Sequence, residues 1–332
     1  MILLLFCIIN LFITHKMELI QACNDVNYDK VKLLIENGID VNYIEEHLSD
    51  NALIITCRNF NNQNNIKIAK LLIKNKINML HENKFGVNSL ICATYNNNSE
   101  MIELLIKNNI NISYQNVHGK NAFMIACEFG HIKMVELFIK NNIDINCCNP
   151  KNNMTGFLYA CENCRHEVVD LLIKHKPDIN IEQQNINGDT GIILASRYSN
   201  IKLIKILVKY GANISHQNLH GSTCFSIACL FEDEQIIQFL ITYFDVDYNL
   251  NYVLNKKFNL NLDEEDNIKN DDLIISYLIK FGYLDIFDQL YNNKYILNEE
   301  HYELIWKYRY YGHFGLEYEN VKKYGRLRDI CF

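Results

Sequence analysis

Large apolar residues occur in adjacent pairs along this chain, and the pairs return at nearly constant spacing: Leu33-Leu34, Leu71-Leu72, Leu104-Leu105, Leu137-Phe138, Leu171-Leu172, Ile206-Leu207 and Phe239-Leu240. Successive pairs lie 38, 33, 33, 34, 35 and 33 residues apart. A period of this size marks a stack of supersecondary units, each burying its apolar face against the next. Eleven residues before the first member of a pair stands Ala22, Ala93, Ala126, Ala160, Ala195 or Ala228. In the second unit Thr56 takes that place, fifteen residues before Leu71, because extra residues fall around Asn61 to Asn64. Nine residues after the first member of the pair come Asn42, Ser113, Asn146, Asn180 and Ser215, with Leu80 and Tyr248 breaking the position.

Residues 116–146 show what one unit predicts. Asn116-Val117-His118-Gly119 is a turn, since Gly accepts positive φ at no steric cost. Ala122 to Cys127 is apolar on every side and reads as a short helix buried between neighbours. Gly130 closes it as a C-cap glycine, and a second helix runs from about Ile132 to Lys140. On that helix Lys133, Glu136 and Lys140 share a polar face. The same stripe returns as Lys67, Lys70, Lys74; Glu100, Glu103, Lys107; Glu167, Asp170, Lys174; and Lys202, Lys205, Lys209. Helices this short are marginal alone, so each unit depends on stacking.

These features resemble the ankyrin repeat. The residues that carry the resemblance are Gly188-Asp189-Thr190 with Gly211-Ala212-Asn213-Ile214, and Gly130-His131 with Asp144-Ile145-Asn146, embedded in the Ala and Leu-Leu register. It implies an all-α solenoid of seven helix-turn-helix repeats with short β-turn tips over residues 17–248. The family's Thr-Pro-Leu-His becomes Thr155-Gly156-Phe157-Leu158, Thr190-Gly191-Ile192-Ile193 and Thr223-Cys224-Phe225-Ser226. The Pro and His are lost, so packing is expected to replace the hydrogen bonds that the His makes in the family.

A net charge of −7 removes any electrostatic case for nucleic acid. Heavy use of Asn, Ile, Lys and Tyr reads as codon bias, so runs such as Asn61-Asn62 and Asn96-Asn97-Asn98 call for no chemical role. This composition in an ankyrin array resembles proteins of large, mimivirus-like DNA viruses of protists, and also suits some protists and bacterial symbionts. Of twelve cysteines, Cys23, Cys57, Cys127, Cys161 and Cys229 follow the register Ala (or Thr56), and Cys92 precedes its Ala. They read as small buried apolar residues too far apart to bridge, in a reducing, cytoplasmic setting (host cytoplasm if viral). Cys161-x-x-Cys164-x-His166, near Cys147-Cys148, has metal-like spacing, but the repeat position already accounts for Cys161. No metal or cofactor is expected.

The ends depart from the pattern. Residues 2–13 are apolar over about 18 Å, too short for a ~30 Å bilayer core. Segment 1–16 reads as a mis-assigned start ahead of Met17, as a signal or anchor, or as an N-terminal packing element. Residues 249–271 form an acidic insertion containing Asp263-Glu264-Glu265-Asp266. Residues 272–297 read as a degenerate eighth repeat, and 298–332, rich in Tyr with Trp306, as a C-terminal cap or a second docking element.

No nucleophile, base and orienter recur together, so no enzyme and no small-molecule substrate are expected. The resemblance implies a protein-interaction scaffold working through turn tips and a concave inner-helix face. The tip residues Lys84, Phe85, Val117, His118, Ile186, Asn187, Leu219 and His220 are the expected partner contacts, with one or more proteins as partners. The alternative is a membrane-tethered or C-terminally docking adaptor that recruits a target to host machinery.

Overall fold

The computed structural model describes residues 17–59, 62–175, 179–231 and 233–243. The expectations for 1–16, 249–271, 272–297 and 298–332 lie outside the described residues. The chain divides between Ile186 and Asn187 into two bodies.

In the first body a short apolar helix alternates with a more amphipathic partner: α1 (17–24) with α2 (Tyr28–Glu36), α3 (Ala52–Arg58) with α4 (Gln63–Lys74), α5 (Ser89–Tyr95) with α6 (Ser99–Lys107), α7 (Ala122–Phe129) with α8 (Ile132–Lys140), and α9 (Gly156–Glu162) with α10 (His166–His175). The inner helices α3, α5, α7 and α9 pack side by side, and α2, α4, α6, α8 and α10 form a second row behind them. The second body repeats the plan with α11 (Gly191–Arg197), α12 (Ile201–Lys209), α13 (Cys224–Leu230) and α14 (Glu234–Tyr243); α11 packs on α13 and α12 on α14. The described residues are helical apart from tips and turns. Isolated antiparallel bridges (Ile44 with Asn51, Glu82 with Asn88, Cys148 with Thr155) close three of the tips.

The apolar pairs explain the second row. Their second members Leu34, Leu72, Leu105, Phe138, Leu172, Leu207 and Leu240 are all buried, while the predicted lysine and glutamate stripe of α8 faces solvent. Burying such a side chain is worth about 2 kcal/mol, more than these short helices gain from propensity. Ala122 to Cys127 of α7 are buried on every side, and Gly130 ends the helix in the left-handed region at φ 78. The extra residues near Asn61 to Asn64 lengthen the outer helix: α4 has 12 residues where α6 has 9.

Composition alone does not account for the asparagines. Asn27, Asn51, Asn62, Asn88, Asn98, Asn121 and Asn200 each cap a helix by accepting a backbone N–H from two or three residues ahead. At the other ends, the Nδ2 groups of Asn75, Asn96, Asn108, Asn141 and Asn163 donate to carbonyls four residues back. In Asn96-Asn97-Asn98 the first residue closes α5, the second takes φ 53 and the third caps α6. The expectation that the run has no chemical role is therefore corrected: Asn both tolerates the left-handed turn and saturates helix ends.

The loss of the Thr-Pro-Leu-His hydrogen bonds is likewise not met by packing alone. Asn51 caps α3 through Oδ1 and donates Nδ2 to Asn78 O in the next repeat at 3.0 Å. Thr223 and Ser226 cap each other reciprocally at the start of α13. At Thr190 the buried hydroxyl finds no partner. Where Gly156 replaces the proline, packing does take over: a Cβ there would lie 2.5 Å from the Phe123 ring, so the glycine lets α7 and α9 close together.

Cys23, Cys57, Cys92, Cys127, Cys161 and Cys224 are buried free thiols. Burial pushes Cys23, Cys92 and Cys224 up to about 12, and also raises Cys57, Cys127 and Cys161. Cys148 is exposed and Cys164 half-buried. Native alkylation with iodoacetamide at pH 8, mapped by peptide mass spectrometry, should therefore modify Cys148 and Cys164 at least about a hundredfold faster than the buried six. Comparable rates would mean that the inner helices open readily.

Candidate interaction surface

The turn tips are built by asparagine. Asn83 Oδ1 accepts the N–H groups of Phe85 and Val87, Asn116 those of His118 and Lys120, and Asn218 those of His220 and Ser222. Each side chain thus folds its own tip into one conformation. Successive tips are then laced together. In the first body Lys84 N–H donates to Leu48 O and Ile186 N–H to Asn152 O; in the second, Leu219 N–H donates to Asn187 O. Side chains add rungs: His81 Nε2 stands 2.7 Å from Ser49 O, Tyr114 Oη donates to Gly86 O, and His216 Nε2 stands 2.9 Å from Gly188 O. Asn42 and Asn146 make the same kind of link to the next repeat, Asn42 accepting the backbone N–H of Asn78 and Asn146 that of its register counterpart Asn180.

The residue after the tip is tied to the end of its own inner helix. Asp50 pairs with Arg58, Lys120 Nζ lies 2.7 Å from Glu128 Oε2, and Asp189 receives the Arg197 guanidinium in a two-point fork at 3.0 and 3.1 Å. Asp50 and Asp189 are 1% and 0% exposed, and each also accepts Nδ2 of the following tip's asparagine, Asn83 or Asn218. These pairs brace tip and helix end as one unit. On the second repeat's tip, burial alone would raise Glu45, but the N–H groups of Leu48, His47 and Asp50, with the charge of His47, outweigh it and hold the carboxyl below its ordinary value.

Against this frame the expected contact residues divide. In the first body Phe85 (55% exposed), Val117 (50%) and Ile186 (62%) stand in solvent, and Val117 covers the backbone of Gly86 beside Phe85. In the second body Leu219 is 76% exposed, its backbone resting on Asn187, and His220 is exposed beside it. Lys84 is different: its ammonium donates to Glu46 O and His47 O, so it seals the neighbouring tip. His118 is exposed, with its carbonyl held by Asn149 Nδ2.

A second set of exposed apolar residues has no counterpart in the sequence reading. Tyr95 and Phe129 in the first body, and Tyr198, Leu230 and Phe231 in the second, are between 44% and 61% exposed at the C-terminal ends of the inner helices. Reading those helices as apolar all round hid them, because only the last residue or two emerges. The signal was their place two or three residues after the register Ala. Tyr95 and Phe129 meet edge-on at 5.7 Å, and Phe129 stacks on His131 at 5.8 Å. Burial and the nearby Arg165 lower His131.

Cys161, Cys164 and His166 form no cluster. Cys161 is buried in α9, Cys164 sits in the left-handed turn at φ 58, and among the described residues no three metal-ligating side chains gather. No described helix is long and apolar enough to cross a membrane.

A family model for ankyrin repeats (three copies) matches residues 19–116, 113–183 and 157–252. Among solved structures, the human ASB11 ankyrin repeat domain is similar at a TM-score of 0.59 and 23% identity, over 68% of this chain and 96% of that one. The ankyrin repeat domain of Bcl-3, a member of the IκB protein family, is similar at 0.58 and 20%, over 68% and 97%. No curated protein matches.

Proposed function

Because the chain belongs to the ankyrin-repeat family, whose repeat domains mediate protein–protein interactions, we propose that it is a non-enzymatic scaffold binding a partner protein through its turn tips and inner-helix ends. The observation that carries this reading is the exposure of large apolar side chains, Phe85, Val117 and Ile186 in the first body and Leu219 in the second, on tips that hydrogen bonds hold in one conformation. Large apolar residues on an ordered surface are worth more to a binder than to a solvated loop, and preorganised tips lose little entropy on binding. Buried, unpaired thiols support a reducing cytoplasmic setting. The Asn- and Ile-rich composition supports a source among large DNA viruses of protists, which would make that the host cytoplasm.

The test replaces Phe85, Val117 and Leu219 together by Ser. Partner capture from the native cytoplasm should be abolished, while the melting temperature stays nearly unchanged, since exposed substitutions cost about 0.5 kcal/mol or less each. Undiminished capture by a folded triple variant would refute the tip assignment.

A further inference from the structure

Most outer helices mix charges along their exposed stripe. In the first body α6 carries Glu100, Glu103 and Lys107, α8 Lys133, Glu136 and Lys140, and α10 Glu167, Asp170 and Lys174. On α4 and α12 the stripe is lysine alone: Lys67, Lys70 and Lys74, and Lys202, Lys205 and Lys209. The two differ in their surroundings. α4 packs against α6, whose glutamates bring opposite charge close by. α12 packs against α14, where the same register holds Gln235, Gln238 and Thr242.

Lys202, Lys205 and Lys209 are all exposed, and among the described residues none of them forms an ion pair. Lys205 Nζ stands 5.4 Å from the centre of the Phe239 ring and Lys209 Nζ 5.7 Å from that of Tyr210, contacts that order the side chains without cancelling their charge. The described carboxylates of this body are used elsewhere: Asp189 holds the Arg197 fork, and Asp233 caps α14 by accepting Ile236 N–H. Like charges on one helix face repel, so this stripe is stabilised by an anionic strand laid along it.

The chain itself carries a match in Asp263-Glu264-Glu265-Asp266, which begins 20 residues after Tyr243, the end of α14. Lys202 to Lys209 covers about 10 Å of helix axis, and four residues of extended chain cover about the same. A 20-residue connection reaches as far as about 60 Å, several times the roughly 10 Å between packed helices. We propose that this acidic run docks along the outer face of α12 in its own chain, its carboxylates meeting Lys202, Lys205 and Lys209. Weak surface pairs suffice, because the connection supplies a local concentration of order millimolar. The strap occupies the outer row and leaves the tip contacts Leu219 and His220 uncovered.

The full chain, at low ionic strength (about 20 mM), is treated with a water-soluble carbodiimide, which joins carboxylates to amines already in contact, and the links are mapped by peptide mass spectrometry. Links from Asp263–Asp266 to Lys202, Lys205 and Lys209 are expected at least about fivefold more often than to Lys67, Lys70 and Lys74, and should fall about fivefold near 1 M salt. Cleavage by a glutamate-specific protease at Glu264 and Glu265 gives a second readout. Lys202→Gln, Lys205→Gln and Lys209→Gln together should speed it about fivefold, with circular dichroism confirming the fold. The same change at Lys67, Lys70 and Lys74 should leave it unaltered. Links confined to Lys256, Lys257 and Lys269 of the acidic segment's own surroundings would overturn the proposal. So would links found only in cross-linked dimers, which would make the occupant a second copy, or unchanged cleavage in the folded α12 variant.

Discussion

Arg197→Ala is expected to lower the unfolding free energy by about 3 kcal/mol, a large fraction of what a domain of this kind holds. The carboxylate it serves is fully buried, and the fork from Arg197 is the charge that compensates it. Removing the cation leaves a buried anion without its counter-charge, and neutral donors such as Asn218 Nδ2 do not replace that charge. Adding Asp189→Asn to Arg197→Ala should recover most of the loss, because the amide still accepts from Asn218 and needs no counter-ion. Urea unfolding followed by circular dichroism reads both variants. A loss under about 1 kcal/mol for Arg197→Ala would place the pair in water, at the level of an exposed salt bridge.

The second large effect falls on a tip. Gly86 has φ 65, and a Cβ there would stand 2.8 Å from Val117 N and 2.7 Å from Val117 Cγ1. One of these obstacles is backbone, so side-chain rotation alone does not relieve the clash. Gly86→Ala should cost about 3 kcal/mol, the left-handed penalty plus a clash that parts two tips. Gly221→Ala is the internal control: its φ is 70 but nothing lies within 4 Å, so only the conformational part, about 1 kcal/mol, remains. Equal losses for the two would mean that tip-to-tip contact contributes nothing. Ser49 and Asn153 occupy the same register at φ 60 and 56, which shows that the conformation alone is tolerated where the next tip leaves room.

Much of the fold was legible because its cause is periodic. The second member of each apolar pair had to face the core once the spacing was recognised, and Gly130 had to end a helix between two apolar runs. The asparagines were hidden because a biased composition makes functional and incidental copies look alike; only geometry shows that Asn96 closes α5 and Asn98 caps α6. The braces were hidden for another reason. Asp50 with Arg58, Lys120 with Glu128 and Asp189 with Arg197 are eight residues apart and span a turn, so neither helical nor strand periodicity pairs them. The reversal of charge in Lys120 and Glu128 removes even the repeat signal. Of the tip residues, Phe85, Val117 and Leu219 are exposed as expected, whereas Lys84 is engaged in sealing its neighbour. That difference depends on where an ammonium reaches, which residue type does not encode.

The most direct test of a binding surface made of tips and inner-helix ends is hydrogen exchange of the full chain with and without its captured partner. The account predicts slowed exchange in peptides covering 83–87, 116–120 and 218–222 and the ends of α5 and α7, with the outer stripe of α4, α8 and α12 unchanged. Protection confined to those outer helices, or lying wholly outside residues 17–243, would contradict it.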